Sequence, residues 1–315
     1  MYKILTALAL TFSALFGLGA CQTNNDLTYP SEYDGGQIVT TQVYEQPDFT
    51  YVMSFQALFP QIPSYNGNGL LAASWTPSDD IFNNPAYVVL HGGRGVGPAS
   101  WRTAGVLHQS SSANVLVLDS FLTRGAEENS ARSAWGDAKV RTFDVIPKGK
   151  WLKKKGTDPK KTWMIGGSQG GWTTLKAMSL EPLQISEVKP LFAGGIAYYP
   201  VCDNYNEKGN LRPNQRYISL ADRGYWGPIL ILSGKKDYAP PISGCQPNVL
   251  KFATKHVSFD RGTHGWQSRW REKDGTMNKD GSCISNHNGD YQMCYDEGHT
   301  NQTYIEIRKF ILQKR

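Results

Sequence analysis

The 315-residue chain lacks the spacings from which a structural metal site is built: it has five cysteines and six histidines, with no CxxC and no HxxxH among them. A zinc centre is therefore not expected. It has only one long apolar run, residues 1–20, which excludes a polytopic membrane protein. Charged residues make up 19% and hydrophobic ones 40%, a balance that leaves enough apolar material for a sizeable core and excludes intrinsic disorder. The 32 glycines follow no three-residue period, so a collagen-like assembly is excluded too. Charge of one sign is also scarce, with 33 basic against 27 acidic residues and a net charge of +6. The densest basic group comprises Lys148, Lys150, Lys153, Lys154, Lys155, Lys160 and Lys161, in one polar stretch between apolar segments. It reads as a solvated face, and no nucleic-acid partner is expected.

The one apolar run has a single lysine, Lys3, and is interrupted by Thr, Ser and Gly, which makes it too short and too broken for a membrane span. It reads as a signal peptide covering residues 1–20. Its end, Leu18-Gly19-Ala20-Cys21, resembles the lipobox of bacterial lipoproteins. That resemblance implies cleavage before Cys21, lipidation of its thiol, and a protein exported and anchored to a bacterial membrane by its lipid. Gln22 in place of Asp implies the outer membrane. The stretch from Cys21 to residue 36 is polar and Gly/Pro-bearing, as suits a flexible tether.

Export changes how the remaining cysteines read. Cys202, Cys245, Cys283 and Cys294 are an even number in an oxidising compartment, so two disulfides are expected, in any of three pairings. The preferred pairing is Cys202–Cys245 with Cys283–Cys294, because the latter closes a short Gly/Asn-rich loop.

From residue 37 the chain opens with extended segments over Gln37–Tyr44, Thr50–Leu58 and Leu70–Trp75, consistent with an antiparallel entry to a sheet. Then come short, nearly continuous apolar runs: Tyr87–Leu90, Val115–Leu118, Trp163–Ile165, Phe192–Tyr198 and Ile229–Leu232. Such runs suit strands buried on both faces of a parallel sheet. The stretches between them can hold crossover helices, for example Asn129–Val145 and Gly170–Leu180, and Gln302–Lys314 has apolar residues at helical spacing. A single α/β domain over 37–315 is expected, its mostly parallel sheet flanked by helices on both faces.

The chemistry concentrates at strand ends. After the Trp163–Ile165 run comes Gly166-Gly167-Ser168-Gln169-Gly170-Gly171, followed by a helix-compatible segment. A serine hydroxyl exposed at a strand end requires a sharp strand-to-helix turn, and small flanking residues allow it. Serine is a weak nucleophile, so a histidine base oriented by a carboxylate is needed. Asp237 lies on the loop leaving Ile229–Leu232, and His264 follows the extended run His256–Phe259, giving the order Ser, Asp, His. His91-Gly92-Gly93-Arg94-Gly95 follows Tyr87–Leu90. Backbone N–H groups at Gly93 and Arg94, with that of Gln169, are the candidate oxyanion hole. Arg94 reads equally as a contact for an anionic substrate and as a surface salt-bridge partner. Asp203 is the second candidate for the acid, Asp119 a structural residue at a strand end, and His256 a satisfied core residue. Trp266, Trp270, Tyr291 and Tyr295 read first as packing under a disulfide-closed loop and second as an exposed aromatic ledge.

Together these residues resemble the α/β-hydrolase superfamily, and within it the dienelactone-hydrolase-like branch. The strings that carry the resemblance are YVVLHGGRG (87–95), VLVLDSFLTRG (115–125), GTDPKKTWMIGGSQGGWTTLKAM (156–178), AYYPVC (197–202), ILSGKKDYAPPISGC (231–245) and GTHGW (262–266), in family order. The resemblance implies a serine hydrolase, foremost a carboxylic-ester hydrolase, with Ser168 as nucleophile, Asp237 as acid, His264 as base and no cofactor. It also supports the Cys202–Cys245 pairing. Two departures limit it. Dienelactone hydrolases proper use a cysteine nucleophile, so their substrate does not transfer to a chain with Ser168. Residues 267–300 stand where only a short link to the last helix is expected, and read as a disulfide-closed insertion beside the active-site mouth. The expected partners are a small ester or acylated substrate, and the membrane through Cys21. Two alternatives remain: a prolyl-oligopeptidase-like serine peptidase, and a non-catalytic surface binding protein on the same fold.

Overall fold

The computed structural model describes residues 37–46, 49–58, 62–63, 70–121, 138–201, 224–238, 247–268, 278–285 and 292–314. The strands are β1 (Gln37–Gln46), β2 (Phe49–Leu58), β3 (Ile62–Pro63), β4 (Leu70–Thr76), β5 (Ala86–Leu90), β6 (Asn114–Asp119), β7 (Thr162–Gly167), β8 (Gly194–Tyr198), β9 (Ile229–Gly234), β10 (Lys255–Phe259), β11 (Cys283–Ser285) and β12 (Gln292–Cys294). The α-helices are α1 (Pro98–Ser111), α2 (Ala138–Lys154), α3 (Gln169–Met178), α4 (Pro247–Lys251) and α5 (Glu297–Gln313).

The first ten strands form one sheet in the order β1-β2-β4-β6-β5-β7-β8-β9-β10, with β3 beside β4. Pairing is antiparallel from β1 through β4 to β6, then parallel from β6 to β10. The uninterrupted apolar runs explain the parallel part, because alternate residues of each strand feed opposite cores. Val88 and Leu90 of β5 join Leu116, Leu118 and Met164 under α2 and α3; Tyr87 and Val89 join Val115, Val117 and Ile165 under α1 and α5. Crossover helices on both faces bring the carboxyl ends of β5, β7, β9 and β10 to one rim, where the loops bearing His91, Ser168, Asp237 and His264 emerge.

Several elements differ from the sequence reading. Helix α2 does not stop at Val145 but runs through Pro147 to Lys154, and the part of the expected helix before Ala138 lies outside the described residues. This overturns the reading of Lys148 as part of a solvated face. Helical spacing places it with Val145 and Leu152, and all three are completely buried; Lys150, Lys153, Lys154, Lys155 and Lys160 are exposed. Helix α5 begins five residues before Gln302, at Glu297, because the Asp296 side chain caps it by accepting the His299 N–H at 2.8 Å. His256 is not in the core: it lies on the solvent side of the edge strand β10, and its Nε2 meets Ser233 Oγ at 2.8 Å. Trp266 and Tyr295 are buried, which removes the ledge reading for those two; Trp270 and Tyr291 lie outside the described residues.

Within 267–300, β11 and β12 form a separate hairpin, and a disulfide joins Cys283 to Cys294 directly across it. Cys21, Cys202 and Cys245, with residues 1–36, lie outside the described residues.

Candidate active site

Ser168 stands between β7 and α3 with φ 56° and ψ −122°, a positive φ that is strained for a residue with a side chain. The turn is held from several sides. Ser168 N–H donates to the Tyr198 carbonyl at 3.1 Å, and the Ser168 carbonyl accepts N–H groups of Trp172 and Val201 at 3.0 and 3.1 Å. Two glycines make the sharpness possible. A Cβ on Gly166 would lie 2.4 Å from the Gly170 carbonyl carbon, and one on Gly170 would lie 2.1 Å from the Leu90 carbonyl oxygen. Strand, turn and helix can therefore close on one another only where both side chains are hydrogen.

His264 Nε2 lies 2.9 Å from Ser168 Oγ, while its Nδ1 meets both carboxylate oxygens of Asp237 at 3.0 and 3.1 Å. His264 and Asp237 are 5% and 4% exposed, so little water competes for these bonds. With Asp237 accepting from Nδ1–H, the Nε2 lone pair faces the serine hydroxyl and can take its proton. The Tyr199 ring packs edge-on to the His264 imidazole at 4.8 Å and to Trp266 at 5.0 Å, and its hydroxyl accepts from Gln267 Nε2. Burial pushes the Tyr199 phenol well above its ordinary value, so it stays neutral beside the base.

The His91–Gly95 segment lies directly over this turn. A Cβ on Gly92 would stand 3.6 Å from Ser168 Cβ, and one on Gly93 would stand 3.2 Å from the Gln169 side chain. Gln169 opens α3, where N–H groups have no intrahelical acceptor and the helix dipole favours negative charge. Behind the loop, the buried Arg141 guanidinium donates from Nη2 to the His91 carbonyl at 2.5 Å and from Nη1 to Gln169 Oε1 at 3.4 Å. It thereby joins both halves of the candidate oxyanion hole. The His91 ring is fixed by Nδ1 against the Gly92 carbonyl at 2.6 Å and by Nε2 accepting the Ser120 N–H at 3.1 Å.

Burial, then repulsion from Arg141, hold the His91 imidazole well below its ordinary value of 6.5. Folded His91 stays neutral while the unfolded chain takes up a proton, so its contribution to stability is full above pH 6.5 and falls as pH drops below it. The loss reaches at most about 1.4 kcal/mol per pH unit. Urea midpoints measured at pH 7.5 and 5.5 should fall on acidification, and less steeply in His91→Gln; an equal slope in both proteins would contradict this assignment.

The sequence matches no protein-family model and no curated protein sequence. Solved structures do match. A protein described as a dienelactone hydrolase from Klebsiella pneumoniae superposes with a TM-score of 0.55 over 82% of this chain and 98% of its own, at 16% identity. Thermogutta terrifontis esterase 2, phosphonylated by cyclosarin, gives 0.54 over 90% and 96%, at 17% identity. The chain has the α/β-hydrolase fold. An acylaminoacyl peptidase from Pyrococcus horikoshii gives 0.51 at 17% identity over 68% of this chain but only 38% of the larger peptidase. At these identities the likeness is one of fold.

Within this α/β-hydrolase fold, the structure brings together Ser168, Asp237 and His264, with Gly93 and Gln169 alongside. Arg94 is exposed on the same loop. Asp203 lies outside the described residues, while Asp119 accepts the Phe121 N–H at 2.8 Å, a structural bond at the end of β6. Sequence reasoning passed over His91, Arg141 and Tyr199. His91 and Tyr199 lie inside the HGGRG and AYYPVC strings, which mark them by position, but nothing local marks Arg141, whose hydrogen-bond partners His91 and Gln169 are 50 and 28 residues away.

Proposed function

We propose that this chain is a serine hydrolase acting on carboxylic esters. The observation that carries the reading is the continuous hydrogen-bonded line Ser168 Oγ, His264, Asp237 at the carboxyl rim of the sheet. Ser168 Oγ attacks the acyl carbon as His264 Nε2 removes its proton; His264 then gives that proton to the leaving alcohol, and Asp237 steadies the imidazolium between the two steps. N–H groups at Gly93, Arg94 and Gln169 face the developing oxyanion, with Arg141 keeping loop and helix in register. Water, activated by the same histidine, releases the acid from the acyl-enzyme. These residues complete the cycle without a cofactor.

The proposal extends to the parts outside the described residues: a signal peptide over 1–20, a lipid on Cys21 that anchors the protein at the outer membrane, a tether to residue 36, and a second disulfide between Cys202 and Cys245. Catalysis is assigned to the single domain 37–315, with 267–300 as an insertion. The likeness to an acylaminoacyl peptidase supports a second reading, hydrolysis of peptide amides by the same residues.

A panel of nitrophenyl esters of rising chain length, acetylated sugars, feruloyl esters and peptide nitroanilides separates the two. Esters should give the higher kcat/KM, since an amide nitrogen is the poorer leaving group and needs protonation as it departs. Faster turnover of an amide than of every ester would put the peptidase reading first.

A further inference from the structure

The loop that carries His264 is fastened on its amino side to the hairpin β11–β12 and on its carboxyl side to the start of α5. On the amino side, Thr263 Oγ1 accepts the Cys294 N–H at 2.8 Å and donates to the Cys294 carbonyl at 3.2 Å. On the carboxyl side, the Trp266 carbonyl accepts the Asp296 N–H at 2.9 Å and the Thr300 hydroxyl at 3.2 Å. Arg261 Nη2 adds an ion pair to Asp296 Oδ2 at 3.3 Å. Gly265, at φ 66°, faces the hairpin as well, with Met293 Sδ 3.7 Å from where its Cβ would be. The base is thus the centre of a short arch whose two feet stand on Cys294 and Asp296.

The Asp296 foot belongs to α5, which packs on the core, but the Cys294 foot is weak without a cross-link. Strands β11 and β12 have three residues each and, among the described residues, form a two-stranded sheet of their own. A two-stranded ribbon of that length is marginal in water. Two backbone bonds extend it, from Gly281 N–H to the Tyr295 carbonyl at 2.8 Å and from Tyr295 N–H to the Ser282 carbonyl at 2.9 Å, and the Cys283–Cys294 disulfide, formed between residues in direct register, is its covalent cross-link. One of its two cysteines is the residue that Thr263 grips through both backbone groups.

We propose that the Cys283–Cys294 disulfide is a positioning element for His264, so that hydrolytic competence is gained only when these two thiols are oxidised. The proposal rests on the serine-hydrolase reading for its consequence, though its structural half stands apart from it. Oxidation removes two electrons and two protons from the thiols, accepted by an exchanging disulfide that is reduced to two thiols in turn. A chain folded with both thiols reduced would hold Ser168 and Asp237 in place at the ends of β7 and β9 while the amino-side foot of the arch bearing the base is loose. Competence would then follow entry into an oxidising compartment.

The test compares the oxidised full-length chain, the chain treated with tris(2-carboxyethyl)phosphine, and the Cys283→Ser/Cys294→Ser variant. The phosphine cleaves the S–S bond to two thiols as it takes oxygen from water, and the double variant isolates this disulfide from any other. Opening it should raise hydrogen exchange in the peptide spanning 261–268 and leave exchange in β5 and β7 unchanged. It should lower kcat at least about 10-fold while KM moves less than about 2-fold, because displacement of a base by a fraction of an ångström affects the proton transfer and not the binding. Reoxidation should restore the wild-type chain, and the double variant should be slow with or without phosphine. Unchanged exchange over 261–268 would overturn the proposal, as would raised exchange with kcat retained. If even the oxidised chain turned over no ester, the failure would belong to the serine-hydrolase reading, and the exchange measurement would still decide whether the disulfide holds His264.

Discussion

Ser168→Ala is expected to lower kcat for the best ester by on the order of 10⁴-fold or more, toward the residual rate that oxyanion donors and binding alone sustain. The expectation follows from geometry. The hydroxyl is the group that meets His264 Nε2 at 2.9 Å, and the turn presenting it is held by backbone bonds to Tyr198, Trp172 and Val201 that alanine keeps. The variant should therefore fold with an unchanged urea midpoint, since alanine keeps the Cβ and with it the same backbone strain at φ 56°. Asp237→Asn should also fold, yet lose a large part of kcat. An amide pointing its NH₂ at Nδ1 favours the wrong tautomer of His264, and the lone pair then turns away from the serine. Steady-state kinetics beside urea titrations of all three proteins check both statements. A loss of kcat in proportion to a loss of folded protein would assign these residues to stability instead.

Gly170→Ala is expected to destabilise the fold by more than about 3 kcal/mol, a loss in the range reserved for severe overpacking. A Cβ there would lie 2.1 Å from the Leu90 carbonyl oxygen and 2.8 Å from that of His91. Both are backbone atoms at the end of β5, a central strand paired with β6 and β7, so neither can swing aside as a side-chain tip would. Helix α3 must retreat instead, and it carries Ser168 at its amino end and Gln169 in its first turn. Stability and activity should fall together, the urea midpoint dropping along with kcat. A midpoint within experimental error of wild type would show that the helix and strand do not approach so closely.

Much of this architecture could be read from the chain because the relevant signals are local. Runs such as Val115–Leu118 have no polar alternation, which only a strand covered on both sides tolerates, and each appears as a central strand with at least one parallel neighbour. The Gly166–Gly171 string marks its turn because small residues are a steric requirement there. What was not legible depends on partners far apart in sequence. Sheet order is set by crossovers, and no run of residues states that β6 lies between β4 and β5. Lys148 was misread because a cation in a Lys-rich stretch looks solvated until the helix is seen to continue past Pro147 and turn it inward with Val145 and Leu152. The start of α5 was missed because apolar periodicity begins near Tyr304, whereas the helix is nucleated upstream by the Asp296 cap. Arg141 and the grip of Cys294 on Thr263 belong to the same class: 28 and 50 residues separate Arg141 from Gln169 and His91, and 31 separate Thr263 from Cys294.

The central claim is that Ser168 is a nucleophile activated by His264, and covalent capture tests it most directly. A fluorophosphonate reacts covalently with an activated serine hydroxyl, so it reads the nucleophile itself. The intact protein is treated with a fluorophosphonate, digested and mapped by mass spectrometry, alongside Ser168→Ala and His264→Ala. One adduct is expected, on the peptide containing Ser168, abolished in Ser168→Ala and slowed by orders of magnitude in His264→Ala. An adduct elsewhere, no adduct on a folded protein, or undiminished labelling of Ser168→Ala would contradict it.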